Sequence, residues 1–450
     1  MQNLRYYYKF FIAFISRFKG ILFIGLIAGM LIFLFLRFIY PLFTSNSQEK
    51  VGIIGKYSTA NLPYPILSLI SGGLTESTET GLVKPQLASS WESADNGKTW
   101  TFHLKSGVMW QDGKEIKSDD LIYNFSDVSV EKPDGRTIVF RLKSAFSPFP
   151  STASKPIFKR GFLGFGPWKV SKITVSGGYV QKIILINNQR QQKTFIFYPT
   201  EERAKLGFKL GQINKLEEVF NPTPIDSWKT VNVTDKPNQN EVVAIFFNTS
   251  ENSLLLADKT IRQALSYAIN KQSLLLRNKD ELGLSRAVSP ISPLSWAYNP
   301  QVKPYDYNPD KAKEIIGGLP KELKQNLNVR LVTTPVLLNQ AEKIAKNWES
   351  VGLNVTLQVT SIKPSDFDAY LAIFDIPKDP DQYAFWHSSQ SITNICKYAN
   401  PRIDKLLEDG RTELDPGIRK NIYLDFQRFL VEDSPAIFLY HPTSYTIERK

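Results

Sequence analysis

The sequence predicts an α/β protein whose two-lobed outer portion is tethered to a membrane by an N-terminal helix. Three observations carry that prediction. An uncharged run, ILFIGLIAGMLIFLFL from Ile21 to Leu36, lies near the start. The stretch after it is rich in strand patterns, and the later stretch alternates strands with amphipathic helices;. At 450 residues the chain is long enough for two to three domains of roughly 100–200 residues each;.

The apolar run continues after Arg37 as FIYPLF to Phe43. A helix from Gly20 to Phe43 would extend about 35 Å, against a hydrocarbon core of roughly 30 Å. Arg37 sits near its end, where a long stem can reach the headgroups. Arg5, Lys9, Arg17 and Lys19 precede the run, and no acidic residue appears before Glu49. The positive-inside rule therefore places the N-terminus in the cytoplasm and the bulk of the chain outside. The run is longer than the apolar part of a cleaved signal, about 7–15 residues, and no A-x-A-like site follows it. An uncleaved anchor is expected.

Composition removes several functions. Cys396 is the one cysteine, and the three histidines, His103, His387 and His441, are far apart with no ligand spacing. Haem attachment, zinc fingers and HExxH metalloproteases are excluded. There is no GxSxG elbow and no phosphate-binding glycine loop;. No metal, no cofactor and no catalytic set is expected. The +12 net charge is shared between the leader and a segment, 151–200, with eight Lys/Arg and no acid. That segment is either a solvated face or one turned to anionic headgroups. Nucleic acid is not an expected partner, because the bulk of the chain lies outside.

In the first lobe, TWTFHL (99–104) puts Trp100, Phe102 and Leu104 on one side of a half-buried strand;. Further strands are expected at Thr137–Leu142, Val180–Ile186, Phe195–Tyr198 and Val242–Asn248. In the second, Asp258 caps a helix with Ile261, Ala264, Leu265, Ala268 and Ile269 at helical spacing;. Val329–Thr333, a helix to Ser350 and Val355–Val359 form a strand–helix–strand unit, which favours parallel pairing. Asn308-Pro309, Asn400-Pro401 and Pro416 begin other helices;. The expected division is 1–43 tail and anchor, 44–50 linker, 51–247 lobe 1 with a trimmed outer subdomain, 248–434 lobe 2, and 435–450 a return to lobe 1.

Several phrases carry a family resemblance. LVKPQLASSWESADNGKTWTFHLKSGVMWQDGKEIKSDDLIYNF (82–125), GFGPWKV (164–170) and FFNTS…LADKTIRQALSYAINKQSLL (246–275) stand in order, followed by YNPDKAKEII, AEKIAKNWESVGLNV and YANPRIDKLLEDG. Over roughly 51–441 the chain resembles the family 5 extracellular solute-binding proteins, the oligopeptide- and dipeptide-binding receptors of ABC importers. The resemblance implies a periplasmic-binding-protein-like clamshell. Its lobes, joined by crossings near Asn248 and Pro435, close on a short peptide and deliver it to permease subunits served by a separate ATPase.

The family pairs the ligand ammonium with an Asp three residues before an Asp/Glu-Pro step. Here that step is Asp379-Pro380, and Ile376 stands where the Asp belongs. Asp375, one residue off, Asp379 or Asp381 takes the role, or the ligand lacks a free ammonium. Trp386 and His387 follow this step and are either cleft wall or, respectively, core and surface. Asn394 and Tyr398 either touch ligand or satisfy a turn. Phe165 flanks Gly166, where backbone approaches ligand closely, and Tyr57 after the first strand is a further lining candidate. The expected function is a membrane-anchored extracellular receptor for short peptides. A tethered sensor or scaffold of the same fold, or a receptor for a sugar or metal chelate, stays open.

Overall fold

The computed structural model describes residues 2–35, 37, 49–250, 253, 255–275 and 286–450. The first element is a helix, Gln2–Leu34. Its segment Ser16–Leu34 has a mean hydropathy of 2.0 and none of it is buried against the rest of the chain. Nineteen residues rise about 28 Å, so the segment is long and apolar enough to cross a bilayer;. The expected continuation to Phe43 and most of the linker, residues 38–48, lie outside the described residues.

Lobe 1 is built on a seven-stranded sheet. Its order is Val231–Pro237, Thr443–Arg449, Lys215–Val219, Glu49–Ile54, Gln192–Tyr198, Tyr179–Asn187 and Trp168–Ser176. Glu49–Ile54 is central and parallel to both neighbours. The helix Glu201–Lys209 connects those neighbours, its start capped by Thr200, whose hydroxyl accepts from the Arg203 N–H at 3.4 Å;.

A four-stranded antiparallel sheet forms the outer subdomain: Ala88–Ser93, Thr99–Leu104, Thr137–Leu142 and Val128–Asp134. The alternation in TWTFHL is realised. Trp100, Phe102 and Leu104 are buried, with Phe102 edge-on to Phe140 at 5.6 Å;.

Lobe 2 carries a five-stranded sheet in the order Asn354–Val359, Asn328–Thr333, Ala369–Asp375, Glu241–Phe247 and Ala436–Tyr440. The expected strand–helix–strand unit is present: the first two strands are parallel, and the helix Leu338–Glu349 between them buries Ala341, Ile344 and Trp348. Asp258, Asn308, Asn400 and Asp415 each cap a helix with a side-chain oxygen;.

The crossings differ from the expected positions at Asn248 and Pro435. Glu241–Phe247 pairs with Ala369–Asp375 on one side and Ala436–Tyr440 on the other, inside the lobe 2 sheet. The chain therefore leaves lobe 1 between Pro237 and Glu241 and returns at His441-Pro442. The reason is the run VVAIFF, whose residues 242–247 are all buried; a strand covered on both faces belongs in a sheet centre, not at a lobe exit. The two crossings are tied together. The Asn238 N–H donates to the Pro442 carbonyl at 2.8 Å, and His441 Nδ1 lies 2.7 Å from the Glu241 carbonyl.

Candidate ligand cleft

The cleft lies between the lobes, where groups at the carboxyl ends of Glu49–Ile54, Lys215–Val219 and Ala369–Asp375 come near one another, the usual place for a ligand in such sheets. The lobes touch. The Trp296 N–H donates to the Thr80 carbonyl at 3.1 Å, and Lys378 Nζ donates to the Ser77 carbonyl at 3.3 Å while lying 5.3 Å from the centre of the Tyr64 ring. A second contact joins the Ser147 N–H to the Arg411 carbonyl at 2.8 Å. Gly81 is required at the first contact. Its φ is +80°, and a Cβ there would stand 2.2 Å from the Lys378 carbonyl oxygen;.

Next to the crossings is a cavity of about 190 Å³, lined among others by Glu79, Glu218, Lys236, Asn238, Asn240 and Leu294. Glu218 has φ 57°, within an irregular stretch of strand pairing between Leu216 and Val219. Left-handed backbone in a bulky residue is uncommon, and irregular pairing of this kind re-aims side chains. Asp375 ends its strand, exposed, directly opposite Glu241 in the sheet register. Like charges so placed repel.

Burial and the neighbouring charges act on these groups in the same direction. Burial, then the charges of Asp375 and Glu218, push the Glu241 carboxyl up to about 7. Desolvation, then the charges of Glu217 and Asp375, push Glu218 up. Partial burial, then Glu218 and Asp375, push the Tyr57 phenol up. Tyr57 is half-buried, edge-on to Phe197 at 5.7 Å, with its hydroxyl donating to the Ile54 carbonyl at 3.3 Å. Lobe 1 thus contributes Tyr57 and Glu218, and lobe 2 contributes Glu241 and Asp375. Among the described residues, none of the three carboxylates has an ion pair. A bound cation would relieve all of them. Also among the described residues, no group of three His, Cys, Asp or Glu side chains is arranged to hold a metal ion.

The other acidic candidates are already engaged. Arg419 grips Asp379 with two nitrogens, at 2.6 and 3.1 Å, and Arg411 Nε reaches Asp381 Oδ2 at 3.1 Å. The Asp379 carboxylate is nearly buried in this fork, so the geometry makes it a structural anchor;.

Four further candidates are drawn into packing. Trp386 is 1% exposed, stacked on Phe246 at 6.2 Å, with Nε1 donating to Gln382 Oε1 at 3.2 Å. It is core because it closes the face of the buried strand Glu241–Phe247. His387 is buried against Tyr383, its Nδ1 2.8 Å from Ser389 Oγ and its Nε2 3.4 Å from Glu408 Oε1. It serves the helix Pro401–Thr412. Asn394 Nδ2 donates to the Tyr398 carbonyl at 2.8 Å, which closes their own loop, and the Tyr398 hydroxyl donates to Asp433 Oδ2 at 2.6 Å, which ties that loop to the end of the helix Pro416–Asp433.

In lobe 1, Phe165 packs edge-on to Trp110 at 6.1 Å. The close approach at Gly166 is real, but the neighbour is the lobe's own backbone: a Cβ would sit 2.6 Å from the Leu69 carbonyl oxygen. Of the sequence candidates, Tyr57 and Asp375 are the two that stand with the acidic group between the lobes. Glu218, Glu241 and Trp296 were not expected. A double acid in LEEVF and an acid opening VVAIFF are the signals the sequence held, and neither distinguishes a cleft wall from a solvated face.

Comparison with known proteins accords with this architecture. Residues 83–394 match the family described as bacterial extracellular solute-binding proteins, family 5 Middle. The oligopeptide-binding protein AppA of Bacillus subtilis (strain 168) is 26% identical over 480 residues, covering 88% of this chain and 86% of the relative. The dipeptide-binding protein of Escherichia coli (strain K12) is 26% identical over 446 residues, covering 82% of each. Among solved structures, NikZ from Campylobacter jejuni in complex with Ni(L-His) superposes with a TM-score of 0.73 at 21% identity, covering 90% of this chain and 94% of that one. The chain belongs to the family 5 extracellular solute-binding proteins, and its fold is their two-lobed clamshell.

Proposed function

We propose that this family 5 protein is the receptor of an ABC importer for short peptides with a free amino terminus, held at the outer face of the membrane by its N-terminal helix. The observation that carries this reading is the carboxylate group at the crossings. Glu218 comes from one lobe, and Glu241 and Asp375 come from the other. A terminal ammonium between them neutralises a wall that is otherwise self-repelling. Because the acids belong to both lobes, the ammonium favours the closed arrangement over the open one, which is what shifts a clamshell's population. Asp375 is the primary partner, and Lys236, which lines the neighbouring cavity with Glu218, suits the ligand's carboxylate or a backbone carbonyl. The peptide-binding relatives support the substrate class. The receptor performs no chemistry; membrane-embedded permease subunits and a separate ATPase do the transport.

Calorimetric titration of the full-length chain in detergent tests the reading. Trialanine is expected to bind, and N-acetyl-trialanine to bind at least about tenfold more weakly, the worth of a charge-assisted hydrogen bond. Binding of neither peptide, or equal binding of both, overturns it.

A further inference from the structure

A second cavity, of about 240 Å³, lies between the outer subdomain and lobe 2. Its walls include Trp91 and Trp100 from one lobe and Trp296 and Leu414 from the other, with Pro148 and Arg419 completing the rim. Three tryptophans on one small cavity is a large share of the eight in the chain. Trp91 and Trp296 are only half-buried, so each retains ring surface to cover. The walls are held in place. Trp91 stacks on Phe102 at 6.2 Å; Trp100 stacks on Phe149 at 6.4 Å and donates Nε1–H to the Gly97 carbonyl at 3.1 Å. Trp296 is fixed by its backbone bond to Thr80, and the Arg419 guanidinium, pinned by Asp379, lies 5.5 Å from the centre of the Trp296 ring.

The two cavities flank one contact between the lobes. The turn around Thr80 places Glu79 on the first and Gly81 on the second, and the loop opposite places Leu294 on the first and Trp296 on the second. Asp375 belongs to the acidic group, and Asp379 lines the tryptophan cavity. They are four positions apart, so their Cα atoms are at most about 14 Å from each other even if the chain is fully extended;. An extended peptide of a few residues covers that distance. The tryptophan cavity is smaller than the roughly 300–1,000 Å³ of a site for a whole small molecule, and it fits one large side chain.

We infer that the tryptophan-lined cavity receives an aromatic side chain of the ligand, so that the receptor selects short peptides joining a free ammonium to a nearby aromatic residue. This rests on the peptide reading above. Aromatic faces against tryptophan gain from area burial and from ring–ring geometry. Since both lobes supply walls, the seat is complete only after closure, and a side chain that fills it favours the closed state by its differential contact.

The test compares two peptides on the full-length chain in detergent, trialanine and Ala-Phe-Ala, by calorimetry. The expected result is about tenfold tighter binding of Ala-Phe-Ala. Trp296→Ala and, separately, Trp91→Leu are expected to collapse that ratio towards one while thermal unfolding stays cooperative. Equal affinities in the unaltered protein overturn the inference alone, as does a tenfold ratio that survives both substitutions. Binding of neither peptide overturns the inference together with the peptide reading.

Discussion

Asp375 and Asp379 are four residues apart and end in opposite surroundings. Asp379 sits in the fork of Arg419 with its charge matched and its oxygens satisfied. Asp375 faces Glu241 across a sheet register and has Glu218 near it from the other lobe. The first arrangement holds lobe 2 together. The second stores repulsion at a place where the lobes meet, which a folded protein tolerates only where something else offsets it. Identical side chains thus carry stability in one place and recognition in the other, and what separates them is the partner each finds.

The largest way to break this contrast is at the matched pair. Arg419→Ala leaves the Asp379 carboxylate nearly buried with no cation beside it, only the Asp381 N–H, and is expected to lower stability by about 3–5 kcal/mol, read by chemical denaturation. If the loss is small, the fork is not what anchors the loop. The converse change, Asp375→Asn, is expected to weaken trialanine binding by roughly ten- to a hundredfold while thermal stability holds or rises slightly, since a repulsive charge is removed. Loss of stability without loss of affinity would reverse the roles assigned to the two aspartates.

A pH series sharpens the same comparison. The Glu241 carboxyl titrates near 7 in the folded chain against an ordinary 4.5. The folded state therefore holds this proton more tightly than the unfolded one. Its contribution to stability is greatest below 4.5 and declines as pH rises to about 7;. With solvent screening allowed for, the decline amounts to about 1–2 kcal/mol, and Glu241→Gln should flatten it. An ammonium prefers the ionised carboxylate, so trialanine affinity is expected to rise over the same window with proton release on binding. Affinity that falls instead would place the ligand's positive end elsewhere.

The smallest effect is expected at the lobe contact. Gly81→Ala combines a left-handed backbone, which costs about 1–2 kcal/mol in either arrangement, with a collision against the Lys378 carbonyl that exists in the closed arrangement alone. Ligand affinity should fall several-fold, with less change in the unfolding of either lobe. Equal affinity would mean that closure does not need this contact.

Much of the scaffold was legible because its signals are local. The apolar face of TWTFHL, the capping aspartates and asparagines and the helix between two parallel strands each depend on residues within about ten positions;. The crossings were less so. VVAIFF announced a buried strand, but not that its neighbours would come from residues 369–375 and 436–440. The site was least legible. Trp386 reads as a binding aromatic until Phe246, far earlier in the chain, is found against its ring.

The order of residues alone settled the membrane-length apolar helix, the clamshell family and several elements of each lobe, since backbone preference and hydrophobic spacing act over short stretches. Tertiary structure decided which acids are spent on arginines, which face one another across the lobes, and which tryptophans share a cavity. Those outcomes depend on Coulomb and packing energies between groups that the chain brings together only after it folds.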